Sequence, residues 1–527
     1  MKTRDLHWYD VFRSGGTRRD FLRVSGSAAA LVALGGALPA RRGDRRLAFR
    51  SDPFKLGVAS GDPLPGGVVL WTRLAAEAVA EAGGAGVPVA VRWEVAEDDE
   101  FRRGVRTGEV LALGELGHAV HAEVDGLQPA RVYHYRFTVG GVSSPVGRTR
   151  TAPPAGAATG RFRLAFASCQ QYEHGYYTAY RHMASEDLDL VVHLGDYIYE
   201  RTWGDNLVRV HERPEIFTLD HYRDRHALYK SDPDLQAAHA AFPWVVTWDD
   251  HEVDNNYADA VPEDAQHTDA FLLRRAAAYQ AYYEFMPLRR SSMPRGADMR
   301  LHRRLVFGDL LAMHVLDTRQ HRDDQACGDG NKPSCAAHTD PRRQLLGVEQ
   351  ERWLFDGLAG AGVRWNVLAQ QIMMARLQRE TPEGPAVPMD TWDGYPAARR
   401  RLLDILGSGR VANPVVITGD IHSSWVNDLK ADFDDPDSPT VGTELVGTSI
   451  TSGGDGREVF DDFPQVQAAN PHIRWYNGRR GYVTCDVERD RLTARYQVVP
   501  WVTQAGAPKE TRATFVVRDG RAGAVIE

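Results

Sequence analysis

Residues 188–200 read LDLVVHLGDYIYE. The apolar run Leu188–Leu194 stops at Gly195-Asp196, and Tyr199 follows three residues after the acid. A run that is apolar almost throughout is the pattern of a strand buried on both faces, and ligands gather at the carboxyl ends of such strands. Glycine lets the backbone turn sharply, and a carboxylate set just after it has two oxygens able to bridge two cations. Four more runs share this design. Phe162–Ala167 ends at Ser168-Cys169-Gln170, and Trp244–Trp248 ends at Asp249-Asp250-His251-Glu252. Leu310–Leu316 ends at Asp317-Thr318-Arg319, and Pro414–Thr418 ends at Gly419-Asp420-Ile421-His422. Helical stretches separate them, the clearest being 264–286, rich in Ala, Tyr and Leu and stopped by Pro287. Alternating strands return over 482–499 and 511–526.

Residues 52–150 read as all-β. Val89, Val91, Trp93 and Val95 alternate with Ala90, Arg92, Glu94 and Ala96, and Tyr133, Tyr135, Phe137 and Val139 do the same. Leu127-Gln128-Pro129 ahead of Tyr133 resembles the tyrosine-corner segment of fibronectin type III sandwiches. Thr149–Gly160, with two prolines and two glycines, is the expected linker. The division predicted is a leader over 1–46, a β-sandwich over 52–150 and a catalytic domain over 161–527.

The leader carries Thr17-Arg18-Arg19-Asp20-Phe21-Leu22-Arg23 before a small, weakly apolar stretch, Val24–Ala40, with no acid in it. That stretch is short for the ~20 residues of a bilayer span. It resembles a twin-arginine signal peptide, which implies the twin-arginine translocase as a partner and a secreted or periplasmic destination. An anchor or a basic arm is the alternative.

The formal charge is −8 over 527 residues, from 63 basic and 71 acidic side chains. Removing the leader's ten Lys/Arg and four Asp/Glu leaves 53 − 67 = −14. A body this acidic repels phosphate backbones and so argues against general nucleic-acid binding, while suiting hard cations if carboxylates converge. With 43% hydrophobic and 25% charged residues, the chain is neither disordered nor a polytopic membrane protein. Of four cysteines, Cys327 and Cys335 bracket CGDGNKPSC, a loop a disulfide closes easily in an oxidising compartment, two free thiols being the alternative. Cys485 alternates with Val483 and Val487 and reads as a buried strand thiol.

One GD or one DH means little, but GDYIYE at 195–200, WDDHEVDNN at 248–256, DTRQ at 317–320, GDIHSSW at 419–425 and ASCQ at 167–170 occur together. This set resembles the PhoD-type alkaline phosphatases, a branch of the metallophosphatases related to purple acid phosphatases. The resemblance implies an α+β fold, with a fibronectin-like β-sandwich followed by a two-sheet metallophosphatase sandwich flanked by helices. It implies a metal-dependent hydrolase of small phosphate esters; a monomer is expected. It also implies that Cys169, Asp196, Tyr199 and His422 hold Fe3+, with Asp196 bridging to Ca2+. Asp250, Asn256 and Asp420 remain as calcium ligands, Asn255 being an alternative to Asn256, and the family holds two calcium ions. Thiolate, phenolate and imidazole suit Fe3+, and an all-oxygen set suits Ca2+.

His251, beside a ligand, is placed to protonate the leaving oxygen; its alternatives are a brace for Asp250 or a second ligand. Arg319 can fork onto phosphate or serve as a structural ion-pair partner. Trp203, Trp392 and Trp475 either line the substrate mouth or pack, and His193 reads as core or as support behind the ligands. Two other readings stay open: a phospholipase D-like phosphodiesterase, and a calcium-stabilised cell-surface binding protein.

Overall fold

The computed structural model describes residues 47–527 apart from 265 and 436, so the arginine-rich leader lies outside the described residues. The described chain is α+β, with twenty-five strands and eight α-helices. It divides into two compact units.

The first unit holds the described residues up to Thr151 together with Arg213–Trp244 and Ala260–Arg300. Strands Val58–Leu64, Gly67–Arg73 and Ala119–Asp125 pair antiparallel in one sheet. Strands Arg106–Ala112, Val89–Ala96 and Val132–Val139 form another, joined by Val142–Ser143 and Gly147–Arg150. Inward side chains of both sheets, among them Leu70, Val91, Val120, Tyr135 and Phe137, share one core. The alternation read along Val132–Val139 is the burial pattern observed, with every second residue inside. The Gln128 N–H donates to the Tyr133 hydroxyl oxygen at 2.8 Å, the contact a tyrosine corner makes.

Strand Gly67–Arg73 is buried along its whole length. Its outer face needs a cover. Trp71 and Ala59 pack with Phe285 of helix Thr268–Phe285, and the Trp71 indole N–H donates to the Glu284 carbonyl at 3.0 Å. That helix is the one predicted over 264–286. Two more, Leu219–Lys230 and Pro233–Ala241, belong to the same unit although they lie far along the chain.

The second unit comprises Ala152–Glu212, Val245–Asp259 and Leu301–Glu527. In one sheet, Leu190–His193 runs parallel to Arg161–Ala167, which pairs antiparallel with Ile473–Glu488, and the antiparallel strands Arg491–Val499, Glu510–Arg518 and Arg521–Ile526 follow. The other sheet carries Leu311–Val315, Trp365–Ala369, Pro414–Thr418 and Thr440–Val446 in parallel. Ser424–Lys430 then pairs with the first part of Ile473–Glu488, so this one long strand contributes to both sheets. Phe166, Val192, Met313, Val367, Ile417 and Val483 are part of the core the two sheets share. Helices Gly347–Gly360 and Pro396–Leu406 cover the outer face of the second sheet through Leu354, Leu358, Leu402 and Leu406. Cys485 is buried in strand Ile473–Glu488, and Cys327 is disulfide-bonded to Cys335.

Tyr133→Phe removes the acceptor of a backbone N–H and should destabilise the first unit by about 1–2 kcal/mol. Scanning calorimetry should show a lowered transition with turnover at 25 °C unchanged. An unaltered melting curve would mean that the hydroxyl contact contributes nothing.

Candidate metal centre

The five apolar runs are all strands of this fold, and backbone hydrogen bonds tie the segments leaving their carboxyl ends to one another. The Cys169 N–H donates to Gly195 O and Gln170 N–H to Asp196 O, both at 3.0 Å, and Thr247 N–H reaches His193 O at 3.0 Å. Gly419 N–H reaches Gln371 O at 2.9 Å and Ile450 N–H reaches Ser168 O at 3.0 Å. After the strands that end at Ala167, Leu194 and Thr418 the chain turns at once through the left-handed region, and the loop after Trp248 does so later, at Asn256. Cys169, Asp196, Asn256, Asp420 and His422 have φ of 59°, 56°, 51°, 64° and 56°. Such values are uncommon outside glycine and persist only where surrounding contacts enforce them. Gly195 itself sits at φ +110°, and a Cβ there would stand 2.6 Å from the Asp249 backbone nitrogen. No other residue fits that turn.

Two groups of donor atoms result. Cys169, Asp196 and His422 bring their donor atoms within 4.8 Å of one another, and so do Asp196, Asp250 and His251. Asp196 belongs to both. The Tyr199 hydroxyl donates to Asp196 Oδ2 at 2.9 Å, lies 3.1 Å from His422 Nε2 and accepts from Ser452 Oγ at 2.7 Å. Asp196 Oδ1 is buried and has no hydrogen-bond partner. Tyr197, by contrast, packs edge-on to His193 with ring centroids 5.1 Å apart.

Burial, then the Asp196 carboxylate, pushes the Cys169 thiol and the Tyr199 phenol well above their ordinary pKa values. Burial, with Asp250, Asp249 and Glu252 nearby and His251 opposing, holds Asp196 well above the carboxylate range. Asp420 is pushed the same way by burial and then by Asp249. Asp249 rises to about 7 through burial and Asp250, although Arg319 pulls against them. Asp250 goes the other way: burial opposes its charge, but Arg319, His251 and the Asn256 N–H outweigh it.

The remaining predicted residues divide. Asp250 takes the His251 N–H on Oδ1 at 3.0 Å and the Asn256 N–H on Oδ2 at 2.7 Å. Asn256 thus meets the cluster through its backbone, while its side-chain amide N–H donates to Asp329 Oδ2 at 2.6 Å. Asp420 is half-buried and falls in neither donor group. His251 is buried, stacks on Tyr199 at 4.1 Å and has Nδ1 2.7 Å from Glu200 Oε2. Burial works against a charged ring there, yet Glu200, Asp250 and Asp196 hold its pKa well above the ordinary imidazole value.

Arg319 meets acids on three sides. Its side chain is 0% exposed, with Nε on Asp249 Oδ1, Nη1 on Asp390 at 2.9 Å and Nη2 3.8 Å from Asp250. A guanidinium buried this deeply needs carboxylate partners, and these contacts fit the ion-pair alternative, while Nη2 is left without a hydrogen-bond partner. Trp392 is buried, with its indole N–H on Gln370 Oε1, and Trp475 packs against Tyr496 and Phe515, so neither lines a mouth. Trp203 stays beside the site, edge-on to His251 at 5.5 Å. His193 is buried.

Sequence reasoning missed three residues. Glu252 accepts Tyr197 N–H at 2.6 Å, Asp249 N–H at 2.8 Å and Asp196 N–H at 3.2 Å, clamping one strand-end loop to the next. Its Asp249-x-x-Glu252 spacing is that of a capping box, a readable signal. Ser452 accepts Gln171 N–H at 3.1 Å, and its one hydroxyl proton is shared between the Tyr199 hydroxyl at 2.7 Å and Cys169 O at 2.8 Å, from a polar, glycine-rich run after strand Thr440–Val446. Glu200, which holds His251, adjoins Tyr199 in the motif itself.

A family profile described as PhoD-like phosphatase matches residues 164–496, and one described as PhoD-like phosphatase, N-terminal domain, matches 39–153. The chain is 52% identical over 519 residues to alkaline phosphatase D of Bacillus subtilis (strain 168), covering 96% of this chain and 88% of that protein. A solved structure described as the structure of PhoD superposes with a TM-score of 0.88 at 54% identity, over 91% of this chain and 92% of the other.

Glu252→Gln turns one acceptor into a donor facing backbone N–H groups, at a cost of about 2–3 kcal/mol. Turnover should fall at least tenfold while the far-UV circular dichroism stays native. Wild-type kinetics in this variant would show that the clamp does not govern the site.

Proposed function

The chain belongs to the PhoD-like phosphatase family and hydrolyses phosphate esters, and on that premise we propose that it does so with an iron–calcium centre, after export from the cytoplasm. The observation that carries the metal reading is Asp196: a buried carboxylate common to both donor groups, with one oxygen lacking any partner. Such an atom is costly unless a ligand satisfies it. Cys169, Tyr199 and His422 surround one side of Asp196 with sulfur, phenol oxygen and imidazole, the set that favours Fe3+. Asp250, Asp420 and the side-chain amide oxygen of Asn256 offer only oxygen and suit Ca2+. Two calcium ions are expected there, from the family resemblance.

Such ions supply positive charge against the phosphoryl oxygens and acidify a water nucleophile. The chain's own residues do the rest. His251, held by Glu200 and kept protonated by its acidic surroundings, is positioned to give a proton to the leaving oxygen. Arg319 holds Asp249 in place and keeps Asp250 ionised. Trp203 and Arg201, whose guanidinium lies 4.0 Å over the indole, flank His251 and shield it from bulk water. Enzyme membership sets aside the calcium-stabilised binding protein.

The first unit we read as a fibronectin-like sandwich, supported by the Tyr133 corner, and the second as the metallophosphatase sandwich, supported by its shared inter-sheet core. Export by the twin-arginine route is supported by Arg18-Arg19 and Phe21-Leu22, and the Cys327–Cys335 bridge suits an oxidising compartment.

Elemental analysis of protein purified without chelator should find one iron and two calcium per chain. EGTA should abolish turnover and added Ca2+ restore it; full activity after EGTA and desalting would remove calcium from the site.

Phenolate bound to Fe3+ gives a broad visible absorption, so the holoenzyme should be coloured. Tyr199→Phe should bleach or shift the band and lower kcat, whereas Tyr197→Phe, directed at His193, should keep both. Unchanged absorption in Tyr199→Phe with iron retained would falsify the phenolate assignment.

A further inference from the structure

We propose that Asp329, held in the loop closed by Cys327 and Cys335, is a positioning residue that orients the Asn256 amide for cation binding only while the disulfide is intact. This rests on the calcium reading of the Asp250–Asn256 limb. An asparagine amide binds a cation through its oxygen alone, so its orientation decides whether it is a ligand. The Asn256 amide nitrogen is engaged by Asp329 Oδ2 at 2.6 Å, which leaves Oδ1 as the amide's remaining polar atom. The Asn256 backbone is held otherwise: its N–H by Asp250, and its carbonyl by Gln325 Nε2 at 2.7 Å and Arg322 Nη2 at 3.1 Å. Asp329 therefore controls the side chain and leaves the backbone alone.

What fixes Asp329 is the loop. None of residues 327–335 belongs to either core of the second unit, and Asp329 and Gly330 are exposed. Gly328 and Gly330 sit at φ +85° and +81°, where an open chain has wide freedom. Against that stand the disulfide, a two-residue pairing of Asn331–Lys332 with Val387–Pro388, and a hydrogen bond from Met389 N–H to Gly330 O at 3.0 Å. At the far end, His338 Nδ1 lies 2.9 Å from Ser334 Oγ, and the His338 backbone N–H donates to Cys335 O at 3.0 Å. On the Asp329 side the bridge is the covalent tie. The bridge removes the closure entropy of the open loop and so narrows the positions Asp329 can reach. Opening it consumes one dithiol. The Cys327–Cys335 bond breaks, two electrons and two protons pass to the two cysteines, and the reductant leaves as its own disulfide. Asp329 then samples many positions, and the amide of Asn256 turns freely. The device makes calcium affinity depend on the redox state of the compartment, while the donors Cys169, Tyr199 and His422 lie outside its reach.

The test is calorimetric titration of Ca2+ into EGTA-stripped, iron-retaining full-length protein, with iron content and melting temperature measured beside it. Dithiothreitol treatment, Cys327→Ser/Cys335→Ser and Asp329→Ala should each weaken calcium binding about tenfold, the scale for losing a group that orients a ligand. The double serine variant opens the loop without any reductant, and Asp329→Ala leaves the bridge closed. The triple variant should bind no more weakly than Asp329→Ala alone. Asp329→Asn, which still offers an acceptor oxygen, should stay near wild type, and iron content should hold throughout. Calcium affinity within twofold of wild type in the double serine variant and Asp329→Ala, or additive losses in the triple variant, would overturn the proposal. If oxidised wild type binds iron and no calcium, the calcium reading fails and this inference with it. A normal calcium response indifferent to Asp329 sinks only the inference.

Discussion

Carboxylates crowd the strand ends of the second unit: Asp196, Asp249, Asp250 and Glu252 are all buried, and Asp420 is half-buried beside them. Like charges this close raise one another's pKa values, and burial adds to the effect. The structure answers with the few cations it can bring in. Arg319 is wholly buried between Asp249 and Asp390, and His251 is wedged between Glu200 and the cluster. One oxygen of Asp196 is still left without a partner at the centre of the cluster, a cost that a buried carboxylate carries until something satisfies it.

Holding such acids together needs a rigid frame, because each would otherwise move apart or protonate. The frame is made at the loops that leave the buried strands. Glu252 binds three backbone N–H groups from two loops, and Ser452 links Gln171, Cys169 and Tyr199. Arg480 grips the carbonyls of His422, Gly453 and Gly454. These contacts enforce left-handed backbone at Cys169, Asp196, Asp420 and His422, conformations a free loop would leave. The strain is concentrated where the chemistry is.

Apolar runs over 162–167, 188–194, 244–248, 310–316 and 414–418 were legible because a strand buried on both faces must be apolar at nearly every position. Cys169, Tyr199 and His422 stood out because sulfur, phenol and imidazole at strand ends are chemically unusual. Trp365–Ala369 and Thr440–Val446, equally buried strands, escaped notice because polar Gln370-Gln371 and Thr448–Ser452 follow them instead of acids. The extent of the first unit was not legible either. Strand Gly67–Arg73 announces by composition that both faces are covered, but which helix covers it depends on a segment some two hundred residues later.

The sequence alone determined the strand ends, the kinds of donor atoms there and the family resemblance, since each follows from residue type and local spacing. The tertiary structure alone decided what each polar side chain meets. Arg319 read as a phosphate fork or an ion-pair partner, and only the arrival of Asp249 and Asp390, 70 and 71 residues away, sets it among acids. Glu252 looked like one more acid in a motif, and only the approach of the Asp196–Tyr197 backbone makes it a clamp. A charged group's role is set by its nearest opposite charge or N–H, and in a folded chain that neighbour is seldom near in sequence.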